Sequence, residues 1–285
     1  MEFTLADERA LVLIEQLTFD QAEGRAWSNK LDAFGSLVKL TSFLQRPKDE
    51  DFELVYREHR YQPFWHVVCS GNYVFERQRQ YPLVVSGSEV QSISIEGKEY
   101  PVTSGKITLA GTEYCEENLR KEVFIDGYSG EEQPVLSAYI TQPANEIPVE
   151  HMDNFKPEGV IVVPPQGSAS AIVRDTLIGV IKSIRADRIL EDHVEVERVD
   201  LYYRPVYAFQ YRWISKEKEA ILEYDAVTGK MEAGGKTFQQ YVGKFLDPDF
   251  LFDVGVDTVD LLVPGGGLAI KLVKKGMDAA KSRNK

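Results

Sequence analysis

The sequence has few of the residues that bind metals or form covalent cross-links. Its two cysteines are too few for a disulfide framework or for a zinc site with four thiolate ligands. Its four histidines, at positions 59, 66, 151 and 193, lack His-x-x-x-His spacing, and no Cys-x-x-Cys pair occurs. The sequence therefore predicts neither a metal site nor a bound cofactor.

A long apolar run is also missing. The best partial candidate, Leu261 to Val273, has 13 residues and includes Lys271, whereas a membrane-spanning helix needs about 20 residues. The N-terminus is acidic early and lacks a basic region, and its apolar stretch from Ala10 to Ile14 is too short for a signal peptide. We therefore expect a mature chain that starts here, in the cytoplasm, and that does not cross a membrane.

An excess of basic charge is missing as well. Lysine and arginine total 33 against 45 for aspartate and glutamate, a formal net charge of −12, which argues against a surface that grips nucleic acid. One local pattern points the other way, because strand alternation from Tyr73 to Tyr81 places two arginines and three aromatic residues on one face. The alternative is a solvent-exposed hairpin face along which the methylene groups of the arginines lie. It agrees better with the net negative charge of the chain. We therefore do not expect nucleic acid as a partner.

Hydrophobic residues make up 43% of the chain, which is enough for a substantial core, and their spacing changes along the sequence. They recur at helical spacing in some segments and alternate as in strands in others. We predict helices at 5–17, 30–44 and about 170–189, strands over 52–123, 160–163 and 194–224, and a connector at 142–158. These boundaries define three predicted domains, at 1–142, 158–236 and 237–285.

Two short patterns occur twice in the same order, which indicates an internal duplication. Tyr-x-Pro-x-aromatic occurs at 61–65 and 203–207, and Asp-x-x-Ser/Thr-Gly occurs at 126–130 and 225–229. Proline lacks an N–H and suits a strand start, an edge or a bulge, while the aspartate pattern is typical of a tight turn. The first copy would hold a hairpin-like insertion at roughly 76–119. The alternative is coincidence between two β-rich stretches.

The predicted fold class is α+β, with two related helix-plus-antiparallel-sheet units, a β-hairpin insertion in the first and a C-terminal helical hairpin. The segment from Ala220 to Lys230 resembles the closing hairpin of PepSY-type domains over residues 220–231, with a fainter echo at 123–131. Those domains are small helix-plus-sheet modules, often regarded as binding or inhibitory. The resemblance implies such a fold and a binding or inhibitory role, and no catalytic residue carries over from it.

Only one loop offers a pattern for nucleophilic catalysis. Loop 164–170 ends in Gly-Ser-Ala-Ser between a predicted strand and a predicted helix, which is similar to a nucleophile elbow without its second glycine. Helix capping by Ser168 or Ser170 explains the same residues more simply, and Cys69 and Cys115 fit small strand residues better than reactive thiols. We predict no catalytic residue and keep an enzyme with a site near this loop as an alternative.

The function that the sequence favours is non-enzymatic protein interaction or assembly, with another protein or a second copy of the chain as partner. Aromatic residues are dense beside the repeated prolines, and large aromatic side chains are enriched at protein interfaces. The candidate contact residues are Phe64, Trp65, Tyr207 and Trp213. The alternative is that all four residues pack in the core.

The C-terminal segment combines an acidic and a basic part around a break at Pro264 to Gly267. Aspartates at 249, 253, 257 and 260 fit one helical stripe, and residues 271–285 hold six basic residues and one acid, a net charge of +5. In one interpretation the two parts form a helical hairpin or dock on a protein. In a second the basic end lies on an anionic membrane. In a third the segment is a disordered tail. The candidate contacts for a membrane or a partner are Leu268, Ile270, Lys271, Lys274 and Lys275.

Overall fold

One large mixed sheet of nine strands forms the body of the protein. The structure is a computed structural model, and it describes residues 2–35, 47–148, 151–152, 155–233, 260–262 and 269–271. The strands of the large sheet are β1 (Glu2–Leu5), β2 (Glu8–Leu13), β3 (Phe52–Val84), β6 (Lys106–Asp126), β7 (Ala144–Ile147), β8 (Ile161–Val162), β9 (Arg188–Trp213), β10 (Lys218–Asp225) and β11 (Met231–Ala233). Two separate strand pairs join β4 (Ser92–Ile95) to β5 (Lys98–Pro101) and β12 (Asp260–Leu262) to β13 (Ala269–Lys271). The α-helices of the described residues are α1 (Phe19–Ser28), α2 (Lys30–Ala33) and α3 (Ala169–Leu177).

Two long strands, β3 and β9, organise the sheet. They pair antiparallel from Phe52 opposite Trp213 to Glu76 opposite Arg188. On its other side β3 pairs with β6 in unbroken register, whereas the other side of β9 is divided among parallel β1 and β2 and antiparallel β10. β3 has 33 residues, and strands of globular proteins usually have about ten or fewer. Its last eight residues, 77–84, extend beyond the last pair with β9.

The repeated prolines lie where a central strand changes neighbours. Along β3, pairing with the short strand β8 ends at Tyr61 and pairing with β6 starts at Phe64, with Pro63 between them. On β9, Pro205 likewise lies between the last pair with β2 and the first pair with β10. A missing N–H costs no ladder hydrogen bond at such a junction. The predicted role of these prolines therefore agrees with their positions.

The two aspartate patterns form equivalent turns, directly after β6 and β10. In each turn, 126–130 and 225–229, one aspartate oxygen accepts hydrogen bonds from the N–H groups two and three residues later, at 2.7–3.1 Å. The closing glycines have positive φ, 74° at Gly130 and 70° at Gly229, a conformation that glycine adopts without steric cost. The turn chemistry predicted from the sequence is what these hydrogen bonds show.

Helices α1 and α3 cover one face of the sheet, which we call the helix face; the opposite face, to which Phe64, Tyr202 and Arg204 belong, is the outer face. Each helix begins at a hydroxyl that accepts from the N–H three residues later at 3.3 Å, Thr18 for α1 and Ser168 for α3. The apolar residues under α1 include Tyr207, Phe209, Tyr211 and Leu222. Those under α3 include Trp65, Val67, Tyr73 and Val194.

The predicted α+β fold with two helix-plus-sheet units is wrong. The described residues are mostly strand, and the repeated segments lie on adjacent strands of one sheet, with Gln62 directly opposite Arg204. Those residues are 142 positions apart, and short sequence patterns identify a strand without specifying its partner. Strands on either side of the predicted connector at 142–158 therefore pair with each other.

Two predicted helices are also wrong in extent or position. The segment 5–17 contains β2, which pairs with β9 and β7, and the helix follows it at Phe19–Ser28. A short apolar run fits a buried strand as well as a helix, and Ala10 to Leu13 is such a run. The helix predicted at 170–189 ends at Leu177. Of the helix predicted at 30–44, Lys30–Ala33 is helical, and residues 36–44 lie outside the described residues.

The predicted C-terminal helical hairpin is wrong as well. Its described residues form the antiparallel strands β12 and β13, with Leu261 opposite Ile270. The glycine-rich break at 264–267 lies between these strands, and a glycine-rich connection suits a strand pair as well as a helix pair. The other residues of 237–285 lie outside the described residues.

Candidate functional site

The four aromatic residues predicted as partner contacts are buried. Phe64 is 1% exposed, Trp65 3%, Tyr207 0% and Trp213 2%. Phe64 stacks on Tyr202 of the outer face with ring centroids 5.0 Å apart, while the other three belong to the helix face and its end. Side chains at this exposure contribute to the core, so a contact surface has to be sought among other residues.

Loop 164–170 contains a helix cap and no activated serine. Ser168 Oγ accepts from the N–H of Ala171 at 3.3 Å and lies 2.8 Å from Ser170 Oγ. Within the described residues, no histidine or carboxylate side chain hydrogen-bonds to either serine. A serine nucleophile needs such a base to remove its proton. The geometry therefore matches the simpler of the two interpretations of this loop.

The thiols and histidines are held apart from one another. Burial raises the pKa of the Cys69 thiol to about 12, which keeps it protonated and unreactive. His59 lies 2.9 Å from Glu15, and His66 lies 2.7 Å from Glu122 on the outer face. Among the described residues no three metal-binding side chains come together.

The structure describes two of the five C-terminal contact candidates. Ile270 and Lys271 lie in β13, and Leu268, Lys274 and Lys275 lie outside the described residues. In the part of the chain that the structure describes, no helix is long and apolar enough to cross a membrane. Contact of the basic end with a membrane or a partner therefore stays a prediction.

The outer face carries a buried network of charges that the sequence patterns did not reveal. Glu58 and Glu223 lie on either side of Ala208 in one row across three strands. The small alanine leaves room between them, and the guanidinium of Arg60 donates to both carboxylates. Arg60 is 1% exposed. Burial opposes its charge, yet the two carboxylates raise its pKa.

A second network lies one row further along the outer face. Arg204 donates to Gln62 Oε1 at 2.7 Å, to the Tyr139 hydroxyl at 2.9 Å and to Asp225 Oδ2 at 3.2 Å. The Tyr139 hydroxyl also donates to Asp225 at 2.5 Å. Asp225 is the turn aspartate at the end of β10, so this network joins the sheet to a turn and to the 3₁₀ helix Pro134–Tyr139.

A third network surrounds His66. Its Nε2 faces Glu122 at 2.7 Å, and its ring stacks on Phe124 with centroids 4.6 Å apart. Burial lowers the pKa of His66, while Glu122 opposes this shift. The facing residue on β9, Asp200, accepts a bidentate pair of hydrogen bonds from Arg9 at 2.7 and 2.9 Å. In all three networks the charged groups pair with one another, which is typical of charges that fix a geometry. His66 Nδ1 has no hydrogen-bond partner among the described residues.

Beyond the last β9 pair, the two-stranded ribbon of residues 77–84 and 106–113 continues alone and ends in the β4–β5 hairpin; we call it the arm. The arm exposes apolar side chains, since Leu83 is 45% exposed and Val84 77%. On the face considered for nucleic acid, Arg77 and the Tyr81 hydroxyl both donate to Glu113. A carboxylate in the centre of this face disfavours contact with phosphates.

The outer edge of β6 is the longest unpaired edge in the described structure. At its end the carbonyl of Phe124 accepts from Gln133 N–H, and at its start Lys106 exchanges hydrogen bonds with Thr103. Main-chain groups alternate in direction along an antiparallel strand, so the even-numbered residues point their N–H and C=O groups away from β3. From Thr108 to Glu122 these groups have no strand partner among the described residues.

Sequence reasoning located this region without identifying it as a site. The predicted insertion at 76–119 covers the arm and most of β6. In the structure, burial alternates from Ile107 to Val123, so the even-numbered side chains form an exposed face. An unpaired edge depends on where every other strand lies, and no local pattern encodes that. The exposed Tyr114 was the most direct missed signal, as an aromatic residue on the solvent-facing side of that alternation.

Comparison of the chain with protein-family models, with curated proteins and with solved structures finds no match. The candidate site therefore rests on its own geometry.

Proposed function

We propose that the protein acts by binding another polypeptide, without catalysing a reaction, and that the partner adds a strand to the free edge of β6. The observation that supports this is the row of outward N–H and C=O groups from Thr108 to Glu122. Strand addition uses such groups for affinity and the side chains of alternate residues for specificity.

The edge has few of the features that keep unbound edges apart. Proteins protect exposed edges with prolines, bulges, charged side chains, especially lysines, or very short strands. The segment 108–120 contains no proline or lysine, and its register with β3 has no bulge; its charged residues are three glutamates and Arg120. An edge of this length with so little protection favours an occupant, and a partner strand is the occupant whose hydrogen bonds match it.

An edge-blocking substitution tests the proposal. In Asn118→Pro the lost N–H points away from β3, so the β3–β6 ladder keeps its hydrogen bonds while the edge loses a central donor. Asn118→Thr is the matched control, because it removes the same side-chain contact with Asn72 and keeps the N–H. The measurement is affinity capture of the full chain from cells that express tagged and untagged copies, with circular dichroism to verify folding.

We expect the threonine variant to retain the bound polypeptide and the folded proline variant to lose it. Equal retention by both folded variants would exclude the β6 edge as the binding site.

A further inference from the structure

We propose that the polypeptide bound at this edge is β6 of a second copy of the chain, paired antiparallel about a two-fold axis at Tyr114. The inference rests on the proposed function and names its partner. Three observations carry it: the position of Tyr114 between body and arm, the charges along β6, and the exposure of Tyr114.

Tyr114 marks the border between the body of the sheet and the arm. It pairs with Glu76, and Glu76 pairs on its other side with Arg188, the first residue of β9. A two-fold axis at Tyr114 therefore lays the arm of each copy, residues 106–113, along the body of the other, residues 115–122. The arm, which is a two-stranded ribbon in one copy, gains a third strand from the other.

The hydrogen-bonding directions fit this axis. Tyr114 is one of the residues whose main-chain groups point outward, so the two copies of Tyr114 exchange both hydrogen bonds as a facing pair. Moving outward from the axis, Thr112 faces Glu116 of the second copy and Ala110 faces Asn118 of the second copy. Every outward residue from Thr108 to Arg120 gains a partner in this arrangement.

The charges on β6 disfavour four of the neighbouring registers. A centre at Glu113, Glu116 or Glu117 places that carboxylate opposite its own copy. A centre at Cys115 places Glu113 opposite Glu117 of the second copy, twice. Like charges directly opposite each other destabilise a strand pair, so these registers are disfavoured.

The register centred on Tyr114 opposes no like charges. It places Lys106 opposite Glu122 of the second copy at both ends of the interface. Centres at Thr112 and Asn118 also avoid like charges, but the free edge then limits pairing to residues 108–116 or 114–122. The Tyr114 centre pairs 108–120, which is longer and includes the arm.

The side chains at the axis also favour association. Tyr114 is 79% exposed, although it is a large aromatic residue in the middle of a strand. Facing its own copy, it becomes a cross-strand aromatic pair, which stabilises antiparallel strands. On the other side of the strand, Leu109 faces Leu119 of the second copy.

Sedimentation equilibrium of the full chain tests the inference. We expect a dimer for the wild type, and a dissociation constant at least about tenfold larger for Tyr114→Lys, which replaces the aromatic pair with two facing ammonium groups. Tyr114→Phe and the distant exposed substitution Val135→Lys (Val135 is 72% exposed) serve as controls and should dimerise as the wild type does.

Cysteine cross-linking tests the register. In a Cys115→Ser background, Tyr114→Cys should give disulfide-linked dimers under mild oxidation, because facing Cα atoms lie about 5.5 Å apart. Glu116→Cys should not, because four residues of strand, about 13 Å, separate its two copies along the interface.

A monomeric wild type, or a dimer that Tyr114→Lys leaves unchanged, would overturn the inference. The wild type could instead be a monomer that binds a different polypeptide, and Asn118→Pro could lose that polypeptide. This result would overturn self-pairing alone and leave the proposed use of the edge intact. Equal cross-linking at positions 114 and 116 would overturn the register.

Discussion

Pro63 and Pro205 each present a carbonyl to the residue that follows a turn aspartate. The Pro63 carbonyl accepts from Gly127 N–H at 2.9 Å, and the Pro205 carbonyl accepts from Ala226 N–H at 3.0 Å. Each proline thus lies at a break between two neighbouring strands and joins its central strand to the turn there. The two junctions have the same hydrogen bonds. Among the described residues only the second turn aspartate, Asp225, also belongs to the Arg204 network of the outer face.

This difference predicts unequal losses on removing the two turn aspartates. Asp126→Ala removes turn hydrogen bonds and should lower the free energy of unfolding by about 1–2 kcal/mol. Asp225→Ala should cost about 2–4 kcal/mol, because it also deprives Arg204 and Tyr139 of their carboxylate partner. Urea unfolding of both variants makes the comparison, and equal losses would show that the Arg204 network adds nothing.

Replacement of Arg60 should be among the most destabilising single changes on the outer face. Arg60→Met leaves Glu58 and Glu223 buried without their shared cation, and breaking such a buried arrangement costs about 3–5 kcal/mol. Arg57→Met is the control, since the Arg57–Glu23 pair is exposed and worth at most about 1 kcal/mol. Similar denaturation midpoints for the two variants would contradict the role given to the network.

These networks also show how far the sequence predicts the structure. Turn chemistry is local, so Asp225 and Gly229 were assigned correctly from their spacing. The junction role of Pro205 follows from its missing N–H. In contrast, Glu58 and Glu223 meet only because β3 and β10 both flank β9, and sequence spacing contains no information about that neighbourhood.

The same limit applies to the four aromatic residues predicted as partner contacts. Phe64 and Trp213 are aromatic residues in strands, and such residues suit both a core and an interface. Their fate depends on whether another layer covers them. The arm was predicted as an inserted hairpin, but its separation from the sheet depends on where β9 begins, at Arg188.

His66 predicts a pH dependence of stability. Burial lowers its pKa in the folded protein, so the unfolded state, with a histidine pKa of about 6.5, binds the proton more tightly. The free energy of unfolding should therefore fall as the pH falls through about 6.5 toward the folded pKa. Glu122, whose own pKa is lowered chiefly by its hydrogen bond to His66, adds a separate loss below about pH 4.5.

His66→Gln should flatten the dependence between pH 7 and 5, as measured by urea unfolding at each pH. His193→Gln is the control, because the His193 side chain is 34% exposed. If the pH dependence of the free energy of unfolding persists in His66→Gln and disappears in His193→Gln, its source is His193 and the account of His66 is contradicted.

The arm should be dispensable for folding and required for association. Glu76 and Tyr114 face each other, so residues 77–113 can be replaced by Ile-Ser-Lys-Glu, the connection that joins β9 to β10 at 214–217. The main sheet and the helix face keep their contacts in this variant. We expect cooperative unfolding and a monomeric mass by sedimentation; a folded variant that still dimerises would show that association does not use the arm.

Residue-resolved amide hydrogen exchange of β6 tests the central claim most directly. The odd-numbered amides, such as Gly111 and Cys115, bond to β3 and should exchange slowly in both the assembled wild type and monomeric Tyr114→Lys. The even-numbered amides from Ala110 to Asn118 should exchange slowly only in the assembled wild type and at least about tenfold faster in the variant. Fast exchange of the even-numbered amides in the assembled wild type, with new protection elsewhere, would contradict docking at the β6 edge.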